Sequence, residues 1–260
     1  MSSAAPGAVL FARYAYPPNA LGYCGPGDPA ALLGAASGRY DLRALEALAP
    51  RFEGAWPYLQ LIAACNGIEN PLDWRVVKAY WLGNGLLSSV PPTVFAASLD
   101  ERFSPRAGRT MSPIVDAVGA GGVPHHSFHV FGVYPWLGLL RAGRGAPALE
   151  VLDRCRIRWG RIECLLGGRA LVRCRHLAFD GSALALGEER LEQVEVALEG
   201  TGLVEGVRPG DVVSLHWDWV CDRLSPNEVA RLEHYTRLNL ASVNSLSAPG
   251  PALAAERDGT

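Results

Sequence analysis

Residues 155–174 read Cys155-Arg-Ile-Arg-Trp-Gly-Arg-Ile-Glu-Cys-Leu-Leu-Gly-Gly-Arg-Ala-Leu-Val-Arg-Cys174. From Ile157 to Val172 apolar and polar residues roughly alternate around Gly167-Gly168. Alternation marks strands, and a glycine pair supplies the positive φ that a tight hairpin turn needs. A second stretch, Gly210–Val220 (GDVVSLHWDWV), follows the turn signal Pro209-Gly210-Asp211 and contains the β-favouring run Val212–His216. A small β unit follows. Cys155 falls where its first strand is expected to begin, and His216 closes a later one.

Upstream of this unit the period is helical. Apolar positions predict helices over Pro29–Ala36, Leu42–Ala49 (with Asp41 as N-cap), Pro57–Asn66 and Pro71–Leu82. Pro124 suits the first turn of a further helix carrying His125, His126 and His129. Residues 1–30 are rich in turn signals and read as an ordered loop; Phe103–Thr110 reads as an exposed loop. Arg141–Pro147 is the best linker candidate, because the period changes from 3.6 to 2 beyond it. The expected fold is α+β. A helical domain of unknown role covers residues 1–147. A small, mostly β unit with a C-terminal helix covers 148–243, and a disordered tail covers 244–260. No internal repeat is visible.

Composition narrows the function classes. Apolar residues make up 49% and charged residues 19%, the profile of a globular chain. A net charge of −2 provides no electrostatic case for nucleic acid or an anionic membrane. No run of roughly eighteen apolar residues is present, so no membrane span is expected. The N-terminus shows no basic segment leading into an apolar run, so a cytoplasmic location is expected. Six cysteines (24, 65, 155, 164, 174 and 221) would then be reduced, and none stands in a CxxC pair. No phosphate-binding glycine loop and no Gly-x-Ser-x-Gly elbow is present.

His125, His126 and His129 form the densest imidazole group. On a helix, 125 and 129 share a face, at a spacing with which a metal recruits two imidazoles. Without a glutamate after the first histidine the metalloprotease pattern fails. The alternative is that these residues cap a helix start, with one packed against Trp136 or Tyr134. Cys164 and Cys174 read as core thiols of the hairpin. Strand alternation would set Trp217 and Trp219 on one face, with His216 and Asp218 on the other, where Asp218 either orients His216 or faces solvent.

The segment Cys155-Arg-Ile-Arg-Trp-Gly160 resembles the opening Cys-Leu-Ala-Ile-Pro-Gly of the HypC-type [NiFe]-hydrogenase maturation chaperones. Gly210–His216 (GDVVSLH) is similar to that family's second motif, and Pro226–Leu238 to its C-terminal helix. The resemblance covers roughly residues 152–240, with Cys155 internal where the family's cysteine follows the initiator Met. It implies an OB-like barrel, and an accessory protein that is not an enzyme. Cys155 and His216 would hold an iron fragment in transit, carrying cyanide and carbon monoxide. The implied partner is a hydrogenase large subunit or another maturation factor. A thiolate and a neutral imidazole form a reasonable ligand pair for such an iron. Two alternatives stand beside this reading: a metal-free interaction module that keeps only the barrel shape, and a metal-dependent enzyme using His125, His126 and His129.

Overall fold

In the computed structural model, which describes residues 6–38, 42–107, 112–143 and 145–246, the chain opens on a helix that its sequence conceals. Helix α1 (Gly7–Ala20) buries Val9, Leu10, Phe11, Tyr14 and Tyr16. A helix enclosed by protein has no polar stripe and so lacks the amphipathic period of its neighbours. Pro17 and Pro18 occupy its last turn. The ordered loop expected over residues 1–30 therefore shrinks to the segment after Ala20.

Against α1 lie α2 (Pro29–Ala36), α3 (Leu42–Leu48) and α5 (Trp74–Trp81), and α4 (Trp56–Cys65) packs on α5, all close to the expected bounds. Asp28 and Asp73 cap α2 and α5 by accepting from the backbone N–H of Ala31 and Arg75. Asp41 lies outside the described residues. Helix α6 (Pro92–Ala107) runs through residues 103–107, where a loop was expected; residues 108–110 of that loop are outside the described set. Then come α7 (Ser112–Gly119), the single turn α8 (His126–Phe128) passing into a π-helical turn (His129–Val133), α9 (Trp136–Arg141) and α10 (Gly145–Cys155).

Helix α10 corrects two expectations. Residues 141–147 end α9 and begin α10, so the boundary placed at 147/148 falls inside a helix and not in a linker. Cys155 ends that helix, and the first strand starts at Arg158. The cause is a helical stripe, Ala148, Leu152 and Cys155 at i, i+4 and i+7, all buried. One apolar core runs through both parts: Tyr14 and Trp81 from the helices belong to the same cluster as Val172, Val213 and Leu215 from the strands.

Strands β1 (Arg158–Leu166) and β2 (Arg169–Phe179) form the expected hairpin, with Gly167 at φ 65° in its turn. Strand β3 (Leu184–Glu195) follows, then a short pair, β4 (Ala197–Leu198) and β5 (Thr201–Gly202), then β6 (Val212–His216) and β7 (Trp219–Arg223). The main sheet runs β1-β2-β3-β7-β6, and β6 returns antiparallel onto β1. A single parallel bridge, Glu195 to Trp219, joins β3 to β7. Gly160 lies opposite Cys174, where a Cβ would stand 2.5 Å from the Arg173 carbonyl oxygen. Only glycine allows that approach.

Helix α11 (Pro226–Ser245) begins with a capping box between Ser225 and Glu228. It packs on α7, on α8 and on β3, tying the two parts together. Because it reaches Ser245, residues 244 and 245 are helical where a tail was expected; residues 247–260 lie outside the described residues. No helix among the described residues is long and apolar enough to cross a membrane.

Candidate metal centre

The end of α10, the single turn α8 and the end of β6 converge on one cavity of about 190 Å³. Cys155 supplies its sulfur there, and His126 and His216 supply ring nitrogens. One ligand atom from each of the three lies within 4.8 Å of the others. Metal bonds of about 2.0–2.3 Å put neighbouring tetrahedral ligands roughly 3.5 Å apart. Small side-chain rotations therefore bring these donors onto a common ion.

Hydrogen bonding fixes which nitrogens face inward. His216 Nδ1 is 2.6 Å from the Tyr14 carbonyl oxygen. A carbonyl only accepts, so Nδ1 carries the proton, and Nε2 keeps a lone pair that is buried and has no hydrogen-bond partner. His126 Nε2 donates to the Cys155 carbonyl oxygen at 2.8 Å. That carbonyl belongs to the open end of α10, so the imidazole also caps the helix. His126 Nδ1 is then the acceptor, and the Tyr80 hydroxyl donates to it at 3.2 Å. A backbone carbonyl thus holds the His216 ring with a lone pair to spare, as second-layer partners of metal-binding histidines do. The His126 Nδ1 lone pair is engaged by Tyr80 and becomes available when that hydroxyl turns away.

Electrostatics favour neutral donors. Burial, reinforced by His126, pushes His216 well below its ordinary 6.5. Burial takes His126 to about 4. Both are unprotonated at neutral pH, the form that ligates. Burial, with the neighbouring Cys24, raises the Cys155 thiol, and the negative end of α10 acts in the same sense. A proton must therefore leave Cys155 when it takes a cation. Cys24 borders the same cavity, its thiol pushed up to about 12 by burial. The remaining wall is aromatic: Trp81 lies 4.5 Å from the His126 ring and 5.6 Å from the His216 ring, between centroids.

The histidine group expected at 125, 126 and 129 does not act together. His125 precedes the helix in an extended conformation; its Nδ1 accepts from the Ser127 N–H, and its ring stacks on Tyr235. His129 starts the π-helical turn, its Nδ1 3.1 Å from the Tyr58 hydroxyl and its ring against Tyr134. An α-helix over 125–129 would have aligned the two; a one-turn helix followed by a π turn separates them. Asp218 does not orient His216. Trp217 and Asp218 form the turn between β6 and β7, and Asp218 pairs outward with Arg154 at 2.9 Å. Of the residues that set the two rings, Tyr80 and Trp81 were legible only as apolar helix positions, and Tyr14 fell in the segment read as an ordered loop.

The chain belongs to a family described as "Family of unknown function (DUF6390)", which it matches over residues 3–249. No curated protein and no solved structure matches it.

Proposed function

We propose that this family member is an accessory protein that holds a metal cargo through His126, Cys155 and His216 and passes it to a partner. The observation that carries this reading is the buried, unpartnered Nε2 of His216, aimed into a cavity that also receives Cys155 and His126. Three protein donors leave a coordination position open, the mark of a site that exchanges or reacts and not of a closed structural site. A cavity of about 190 Å³, against about 30 Å³ per liquid water, has room for an ion with several small ligands. Soft sulfur with two imidazoles suits a ferrous centre.

The motif resemblance supplies the cargo and partner: an iron fragment bearing cyanide and carbon monoxide, delivered to a [NiFe]-hydrogenase large subunit or another maturation factor, on a sheet of OB-like form. The closeness of Cys155 and His216 supports this. The second reading is a metal-free interaction module. It is favoured by burial, since Cys155 is 8% exposed and His216 1%, whereas a carrier must release what it holds.

Iron content and infrared spectra of anaerobically purified protein separate the two. The carrier reading expects bound iron with cyanide and carbon monoxide bands, lost in Cys155→Ala and His216→Ala variants that retain their fold. Protein that stays metal-free when co-expressed with a hydrogenase system, or bands that persist in Cys155→Ala, sinks it.

A further inference from the structure

The inner face of the sheet carries a second polar cluster, separate from the cavity. Cys174 and His176 follow one another on the inward side of β2, and Glu192 comes from β3. Val172 pairs with Glu192 and Cys174 with Arg190, so Glu192 stands one diagonal step from Cys174. Cys174 Sγ is 3.1 Å from Glu192 Oε1 and 3.7 Å from His176 Nε2. His176 Nε2 is 3.9 Å from Glu192 Oε2. One donor atom from each residue lies within 4.8 Å of the others.

Behind the imidazole, His176 Nδ1 donates to Asp153 Oδ2 at 2.7 Å. This places the ring proton on Nδ1 and leaves the Nε2 lone pair facing Cys174 and Glu192. A carboxylate on the far nitrogen is the recurrent support of a metal-binding histidine, orienting the ring and raising its basicity. Asp153 is itself anchored: it accepts from Leu177 N–H at 2.8 Å and pairs with Arg156 at 2.9 Å.

We propose that Cys174, His176 and Glu192 form a second metal site, taking a borderline divalent ion such as zinc. Mixed sulfur, nitrogen and oxygen donors suit that class. On binding, the cation displaces the thiol proton to solvent and forms a bond to the Cys174 thiolate. Glu192 keeps Oε1 on Arg158, 3.1 Å from its Nη2, and turns Oε2 to the ion. Entry is from the His176 and Glu192 side, whose side chains are 22% and 19% exposed. The order Cys174–His176–Asp153 also resembles a nucleophile relay. Burial and Glu192 hold the Cys174 thiol protonated, the opposite of what a nucleophile needs.

The test is titration of metal-free, full-length protein with Co²⁺ alone under reducing, oxygen-free conditions, read by thiolate-to-cobalt charge-transfer absorption. The Cys155→Ser variant should keep a charge-transfer band and one bound cobalt, and adding Cys174→Ser should abolish both. In the Cys155→Ser background, Glu192→Gln should weaken cobalt binding about tenfold or more, while costing some stability because Arg158 loses its charged partner; circular dichroism shows that the metal-free variant is folded. A Cys155→Ser protein without any band, or a band that survives Cys174→Ser, overturns the proposal. If Cys174→Ser does not fold, unchanged cobalt affinity in Glu192→Gln overturns it. The cavity reading fails separately, if Cys155→Ser leaves the wild-type stoichiometry and spectrum intact.

Discussion

His216 places its one ring proton on the Tyr14 carbonyl, and His126 places its own on the Cys155 carbonyl. Neither ring has a proton to lose near neutral pH, since burial has already depressed both. Cys155 is the opposite case, a thiol that burial keeps protonated. Metal binding at the cavity should therefore release one proton, from sulfur. Measured in Cys174→Ser protein, where the cavity alone binds, the affinity should rise about tenfold per pH unit between pH 6 and 8, and adding Cys155→Ser should flatten that slope. Isothermal titration in buffers of differing ionisation enthalpy measures the proton directly. A pH-independent affinity in Cys174→Ser protein would show that Cys155 is not the ligand. At this scale the sequence was partly legible: the motif positions Cys155 and His216 and one histidine of the dense group do meet. The groups that orient them, Tyr14 and Tyr80, carry no local mark of that role, because a hydroxyl or carbonyl partner is chosen by packing.

Trp217, in the turn between β6 and β7, and Tyr23 and Cys24, in the loop after α1, line the cavity. Trp217 has φ 51°, in the left-handed region that costs a bulky residue about 1–2 kcal/mol. Its N–H donates to the Arg154 carbonyl at 2.8 Å, and its carbonyl accepts from Arg158 at 2.6 Å. Tyr23, itself half-exposed, stacks on the indole at 4.3 Å between centroids. Removing that ring forfeits an aromatic pair of about 0.5–1.5 kcal/mol, enough to raise the open population roughly two- to tenfold. Tyr23→Ala should accordingly speed alkylation of Cys155 in metal-free protein by that factor, with little change in melting temperature. Mass-spectrometric labelling rates check it, with Cys174 as the internal reference. Equal acceleration at both thiols would mean general loosening and not a local gate. The β-favouring run Val212–His216 identified β6 with its end, but the alternation of faces read on through Trp217–Trp219 does not hold across the turn. Alternating Trp-Asp-Trp looks extended, and the left-handed conformation of Trp217 is imposed by its tertiary partners.

Across the whole molecule, four imidazoles are held neutral in one interior. Burial depresses His125 and His129 to about 3 and His126 to about 4, and His216 well below 6.5. An unfolded chain takes up these protons below about 6.5, while the folded chain refuses them until far lower pH. Stability is thus complete above pH 6.5 and falls as pH drops toward 4. For His126 alone the loss approaches about 3 kcal/mol. The melting temperature should be flat from pH 8 to 7 and decline steadily below 6.5. His125→Asn, which can still cap α8, should make that decline shallower. A decline that starts only below pH 4 would show that carboxylates, not these histidines, govern acid unfolding. What the sequence alone determined was local: the β1–β2 hairpin with its glycine turn, β6, most of the helices, and the candidate donors as residue types. Such features follow from period and turn chemistry, which nearest neighbours along the chain decide. The hidden helix α1, the continuity of α10 across the supposed boundary and the meeting of His126 with Cys155 and His216 were settled by tertiary structure. Each depends on which apolar faces cover one another. Periodicity reports that a face is apolar, and only packing decides what it faces.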